Sequence, residues 1–351
     1  MLKIILVGLK NCLNLGDVVI NDSTEYLIHA IFREINFRNY TLVSIDMTEE
    51  DYSHIEGSDL IIFVGGGILK YKYQKFYYYI DKITRMAEMN NIPVIFNAVG
   101  VEDYDESNAN CKLLQEAINR KCVKQITTRD DLELLQSKYL YNGNISCKVA
   151  DPAVWTSDVF KVQKKVNTNL IGLGVIREGI FKSNGINVGF DELVILWKNV
   201  IDELESQNIK WEVFTTGWPS DMKFAINFMK AIGRECDILK HVRPEPKSAK
   251  ELVNNISRYK SIIAGRLHAN IIAYSLNIPA IGLVWNDKCR FWGENIGFPQ
   301  RYFESNNLDG RLIVKECIDA MQNGYKEYTR EPYKMSVYNS LKRYLINLVN
   351  N

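Results

Sequence analysis

In SIIAGRLHANIIAYSLNIPAIGLVW, residues 261–285, an arginine and a histidine stand two positions apart between two strongly apolar runs. Arg266 carries a planar fork of donors that fits a carboxylate or phosphate, and His268 belongs to the side-chain type that exchanges a proton near neutral pH. Gly265 ends a β-rich apolar run that reads as a buried strand, and Leu267 to Leu276 reads as the helix that follows. Both cations therefore fall at a strand's carboxyl end and in a helix's first turn, where open α/β sheets bind ligands and unpaired amides attract phosphate. An interface salt bridge and a histidine satisfied by a backbone carbonyl would be the plainer account of either residue alone. Two such residues at this position favour a site.

Other segments end strands in similar ways. Arg177 in LIGLGVIREG follows an apolar run, and if its strand neighbours that of Arg266 the two guanidinium groups converge on one dianion or trianion. Lys288 in GLVWNDKC lies just past the last inner strand and adds a cation for phosphate. Gly65, Gly66 and Gly67 in FVGGGILK would let a ligand approach the backbone, with a helix start behind them favouring an anion or polyol. A tight turn without ligand fits those glycines equally, and the spacing is not that of a nicotinamide fingerprint. Asn14, Gly16 and Asp17 in NCLNLGDVVIND follow the first strand, and Asp17 serves as a helix cap or as part of the cleft. TTRDDLELL and VADPAVW follow two more strands: Arg129 and Asp131 read as a loop ion pair, and Asp151 before Pro152 as a turn former. HVRPEP, with His241 and Arg243, reads as a solvated loop at a cleft edge.

These positions need elements to hold them, and the chain's 351 residues suit two domains of roughly 150 residues plus an extension. Short continuous apolar runs, KIILVGL, TLVSID, DLIIFVGGG and PVIFNAVG, alternate with helical patterns at Asp17 to Ile35 and near residues 73–91. That alternation predicts parallel sheets covered on both faces. The rhythm restarts after the polar stretch KVQKKVNTN, residues 161–169, which is the linker candidate. LIGLGVI, WEVFTTG, SIIAG and PAIGLVW are the later strands, with helices at about 191–206, 219–233 and from Leu267, and with Ser248 and Glu251 at capping-box spacing. The expectation is an α/β protein of two tandem Rossmann-like, doubly wound domains with a cleft between them. The first covers 1–160, the second 161–325, and a helical extension 326–351 closes the chain.

Composition narrows the partners. A net charge of +1 gives no global field for nucleic acid or an anionic membrane, so any anion must be caught locally. Seven dispersed cysteines without C-x-x-C spacing suit reduced core thiols in a cytoplasmic protein. His29, His54, His241 and His268 are scattered, which predicts no metal site. No uncharged run reaches the roughly 18 residues of a spanning helix, so the expected location is cytoplasmic, with at most peripheral contact at the inner membrane face.

Taken in order, NLGD, DLIIFVGGG, TTRDD, VADPAVW, GLGVIREG and AGRLHANIIAYSLNIPAIGLVWNDKCRFW resemble the polysaccharide pyruvyl transferase family over residues 4 to 300. The G-R-L-H-A block followed by NIPAIGL and a lysine carries most of that resemblance. It implies a glycosyltransferase-B-like fold, phosphoenolpyruvate as co-substrate with no other cofactor, and a sugar acceptor offering two hydroxyls, in capsular or exopolysaccharide biosynthesis. The acceptor class includes lipid-linked oligosaccharides. The resemblance implies that the second domain holds the donor, through Arg177, Arg266 and His268, and the first the acceptor; Leu267 and Lys288 are further expected donor-side residues, and the need to protonate C3 of the donor makes His268 the expected general acid. Asn14, Asp17, Gly65, Gly66, Gly67 and Asp151 are the expected acceptor or cleft residues. Two alternatives stay open: a nucleotide-sugar glycosyltransferase of the same fold, and a non-catalytic carbohydrate-binding relative.

Overall fold

The computed structural model describes residues 1–72, 74–141, 146–165 and 169–350. Two compact units divide the chain: Met1–Cys12 with Asp17–Pro152 and Glu331–Asn351, and Leu13–Gly16 with Ala153–Arg330. The expected boundary at 160/161 thus lies inside the second unit, and of the expected linker 161–169, residues 166–168 lie outside the described residues.

The first unit is built on a seven-stranded parallel sheet comprising β1 (Leu2–Gly8), β2 (Tyr40–Asp46), β3 (Leu60–Phe63), β4 (Gly66–Leu69), β5 (Val94–Val101), β6 (Val123–Thr128) and β7 (Ser146–Lys148). The order is β2-β1-β3-β5-β6-β7, with β4 attached to β5. Ile4 to Val7 in β1, all of β3 and all of β5 are buried, as strands covered on both faces must be, and this is why they read as unbroken apolar runs. Phe63 and Phe96 stack across the β3–β5 pair at 4.3 Å between ring centroids. The first helix is Leu15–Glu34, so Asp17 lies within its first turn instead of capping it. The pattern near 73–91 gives the helix Phe76–Met89, and residue 73 lies outside the described residues.

The C-terminal helix, Glu327–Asn350, runs into the first unit and buries Val337, Leu341 and Leu345. Lys342 pairs with Glu34 at 2.5 Å and Tyr338 donates to the same carboxylate. Ser336 Oγ accepts from the Ala150 amide at 2.8 Å, and Ser340 Oγ from Gln125 at 3.1 Å.

The second unit holds a five-stranded parallel sheet of β8 (Leu170–Gly174), β9 (Lys210–Phe214), β10 (Ser261–Ala264), β11 (Ala280–Val284) and β12 (Tyr302–Glu304). Its order is β12-β11-β10-β8-β9, which places β10 in the centre. Helices Phe190–Ser206, Pro219–Ala231, Ala249–Ile256 and Leu267–Ser275 follow the expected positions. Ser248 caps as its spacing predicts, its Oγ accepting from the Glu251 amide at 3.2 Å, but the return bond falls one residue earlier than in a capping box, Glu251 accepting from the Lys247 amide at 2.9 Å. Every residue of Leu267–Ser275 is buried, because that helix packs on β10, β11 and three neighbouring helices. No described helix is long and apolar enough to cross a membrane.

Candidate active site

Three predicted cations stand at the carboxyl ends of three adjacent strands of the second sheet. Arg266 follows β10 and occupies the cap position of helix Leu267–Ser275, in which His268 is the second residue and Leu267 the first. Arg177 follows β8, and Lys288 sits in the first turn of helix Asp287–Asn295 after β11. Both β8 and β11 pair directly with β10. The β10 turn is tied down from two sides: Asn270 Nδ2 donates to the Arg266 carbonyl at 2.9 Å, and Trp285 Nε1 to the Gly265 carbonyl at 2.6 Å. Leu267 is buried, so its contribution is packing beneath the turn.

Arg177 and Arg266 do converge, and the group they converge on is a carboxylate of the protein. Asp221 lies in the first turn of helix Pro219–Ala231, which follows β9, and is 0% exposed. Its Oδ2 accepts from Arg266 Nε at 2.8 Å and stands 2.7 Å from Arg266 Nη2 as an ion pair. Its Oδ1 accepts from Arg177 Nη1 and from the Arg177 amide, both at 3.3 Å. The indole of Trp218 lies beneath both guanidinium groups, 5.7 Å from Arg177 Cζ and 5.8 Å from Arg266 Cζ. Sequence reasoning missed Asp221, Trp218, Thr215 and Thr216. The available signal was FTTGWPSD, a strand end running into a proline-started helix with an acidic first turn. The hydroxyls of Thr215 and Thr216 and the indole N–H of Trp218 are buried without hydrogen-bond partners among the described residues. Burial, reinforced by the negative charge of Asp221, raises the carboxyl pKa of Glu245 above its ordinary value. Burial likewise pushes the Cys289 thiol up to about 12 against the pull of Lys288 and Arg266, which removes it as a nucleophile.

His268 is 8% exposed and lies against Gly16, one of the Leu13–Gly16 residues that belong with the second unit. A Cβ at Gly16 would fall 2.2 Å from His268 Nδ1. Gly217, with φ of +105°, lets the chain after β9 pass under the same segment, since a Cβ there would meet the Leu13 carbonyl at 2.8 Å. Asn14 therefore belongs with the second unit and not with the other expected acceptor residues.

Those others gather in the first unit. A Cβ on Gly66 would reach Asp17 Oδ1 at 3.6 Å, and one on Gly100 would meet Asp130 Oδ2 at 2.8 Å and the Gly67 Cα at 3.1 Å. The expected Arg129–Asp131 ion pair does not form. Arg129 pairs with Asp151, both nearly sealed from solvent, whereas Asp131 caps the next helical turn by accepting from the Leu134 amide at 2.8 Å. Burial works against the charge on Arg129, but Asp151, Asp130 and Asp17 outweigh it and hold its pKa above the ordinary value. Asp151 is thus a buried counter-ion, more than a turn former. No helix start stands behind the glycines, because Gly65 and Gly66, at φ of +127° and +87°, swing the chain into β4. His241 is not a solvated loop residue either: it stacks on Trp211 at 4.1 Å, and Arg243 Nη2 donates to Asn255 Oδ1 at 3.2 Å.

A family model described as polysaccharide pyruvyl transferase matches residues 14–287 of the chain. No curated protein matches it at a significant level. Among solved structures it is similar to a putative UDP-N-acetylglucosamine 2-epimerase from Listeria monocytogenes, with a TM-score of 0.60 and 12% identity over 97% of this chain and 95% of that one. UDP-GlcNAc 2-epimerase from Methanocaldococcus jannaschii gives 0.58 and 12% over 98% and 99% of the two chains. A glycosyltransferase from Rickettsia africae gives 0.52 and 11% over 100% and 99%. At such identities the likeness is one of fold, two Rossmann-like units of the glycosyltransferase-B type, as expected.

Proposed function

Since the chain belongs to the polysaccharide pyruvyl transferase family, and is therefore a transferase, we propose that it takes phosphoenolpyruvate as donor and builds a pyruvate ketal on two hydroxyls of a sugar. The observation that carries the donor assignment is the convergence of Arg177 and Arg266, from adjacent strands, beside a helix whose second residue is His268. Phosphoenolpyruvate is small and densely anionic, and two guanidinium forks with a helix N-terminus suit it better than an apolar slot. Lys288 supplies a further positive charge for the phosphate.

In this reading the imidazolium of His268 gives a proton to C3 of the enol ether, turning the methylene into a methyl and C2 into an oxocarbenium-like carbon. One sugar hydroxyl attacks C2 and yields its proton. The C2–O bond to phosphate then breaks, and the second hydroxyl closes the ketal ring. One of the two hydroxyl protons restores the imidazolium and the other leaves on inorganic phosphate, so the products are ketal and phosphate alone. A positioned acid of this kind contributes roughly 10² to 10⁴ in rate. The acceptor is assigned more coarsely, to a sugar diol held by the Asp17, Gly65 to Gly67 and Asp151 set of the first unit, in surface polysaccharide synthesis at the cytoplasmic side.

The test is thermal stability under titration with phosphoenolpyruvate and, separately, with nucleotide sugars, for the wild type, Arg266→Ala and His268→Ala. Stabilisation by phosphoenolpyruvate that vanishes in Arg266→Ala and largely survives in His268→Ala is the expected result. Stabilisation by a nucleotide sugar alone overturns the donor assignment.

A further inference from the structure

We infer that Asp221 is a positioning residue that fixes the two arginines at the spacing of a doubly anionic ligand; the inference rests on the donor reading above. Asp221 is fully buried, and each of its oxygens serves one arginine, Oδ2 taking Arg266 and Oδ1 taking Arg177. Each guanidinium group has five N–H donors, of which Asp221 takes one from Arg266, whose Nη2 it also approaches as an ion pair, and one from Arg177. Trp218, three residues earlier, supports both groups from below, so one helix start supplies the floor and the anchor together. Arginine side chains are rich in rotamers, and a ligand that had to order two of them would lose affinity in doing so. A shared buried carboxylate orders them beforehand.

Charge counting and positioning predict opposite signs, which makes the idea decidable. A carboxylate beside an anion site repels the anion, so Asp221→Asn should tighten binding if only charge matters. Asparagine, however, presents an N–H₂ group in place of one oxygen, so one of the two arginines faces a donor where it had an acceptor. If Asp221 positions them, Asp221→Asn weakens phosphoenolpyruvate at least tenfold, despite the lost negative charge. Inorganic phosphate, which needs only one fork, weakens by less, so the preference for phosphoenolpyruvate over phosphate shrinks. In turnover the donor KM rises by more than kcat falls.

The experiment is calorimetric titration of the full chain, wild type and Asp221→Asn, with phosphoenolpyruvate and with inorganic phosphate, after circular dichroism has checked the fold. Equal or tighter phosphoenolpyruvate binding in the variant overturns the inference. Should the variant not fold, the side-chain Nε–H resonance of Arg266 in ¹⁵N-arginine-labelled wild type decides. One sharp, exchange-protected signal before ligand is added supports positioning by Asp221, and a signal broadened until ligand arrives overturns it. A wild type that ignores phosphoenolpyruvate removes the donor reading instead, and repeating the comparison with UDP and a UDP-sugar then shows whether Asp221 positions the arginines for another anion.

Discussion

Gly16→Ala replaces one hydrogen by a methyl group against the imidazole of His268. The added Cβ would sit 2.2 Å from Nδ1, 2.4 Å from Cγ and 2.5 Å from the Cβ of His268, where ordinary contact begins at 3.4 Å. The ring must therefore retreat by about 1 Å or more, and it belongs to a helix buried on all sides. Overpacking of that kind costs about 1–3 kcal/mol, while replacing a helical glycine by alanine returns up to about 1 kcal/mol, so net stability falls by no more than about 3 kcal/mol. Catalysis responds more steeply. A misplacement near 1 Å costs about 100-fold, within the roughly 10² to 10⁴ that a general acid supplies. The assay is phosphate release from phosphoenolpyruvate in the presence of an acceptor diol, read as kcat and donor KM together with the melting temperature. The expected variant is folded, holds its donor KM within a few-fold because Arg177 and Arg266 are untouched, and loses about 100-fold in kcat. A folded variant with full kcat refutes the placement of His268 as the acid.

Three further outcomes concern stability. Asp46 is buried, which raises its carboxyl pKa, but N–H groups of Asn11, Thr48 and Lys10 and the Thr48 hydroxyl outweigh burial and hold it below the usual 3.8. Its contribution is complete above the unfolded value and is lost as pH falls through the lower folded value; Asp46→Asn, about 1–3 kcal/mol less stable in urea at pH 7, should lose that acid-limb dependence. Arg129→Met takes the cation away from the buried Asp151 and should cost about 3–5 kcal/mol, and adding Asp151→Leu should recover most of it, as urea midpoints will show. Leu341→Ala should cost about 2–5 kcal/mol and lower the melting temperature of the first unit, because the C-terminal helix buries that side chain completely.

Strands and helices were legible because burial on both faces leaves a continuous apolar signature, as in KIILVGL and SIIAG. Pairings between distant residues left no such signature. Arg129 has Asp130 and Asp131 beside it in sequence, yet its counter-ion comes from the end of another strand, at Asp151. Asp221 reads locally as an acid favouring its helix's N-terminus, and its partners lie 44 and 45 residues away in opposite directions. The glycine run was ambiguous for a local reason: FVGGGILK fits an anion loop as well as a tight turn, and the structure makes it a kink between β3 and β4, which both run parallel to β5. The contact of Gly16 with His268 likewise depends on a close approach that no periodicity encodes.

Both sheets end in a buried arginine–aspartate contact, and the balance of charge differs between them. At the first sheet one arginine, Arg129, is held by Asp151 with Asp130 and Asp17 close enough to raise its pKa, so acids outnumber the base. At the second, one acid, Asp221, is shared by Arg177 and Arg266 with Lys288 on the next strand end, so bases outnumber the acid. Surplus carboxylate oxygens accept from hydroxyl groups and repel phosphate, and surplus guanidinium donors do the reverse. On the proposed reading, the first sheet's surplus of acids suits a neutral polyol and the second sheet's surplus of bases a small trianion. The chain's overall charge of +1 excludes a global field without revealing these two sites, because their local charges nearly cancel in the sum.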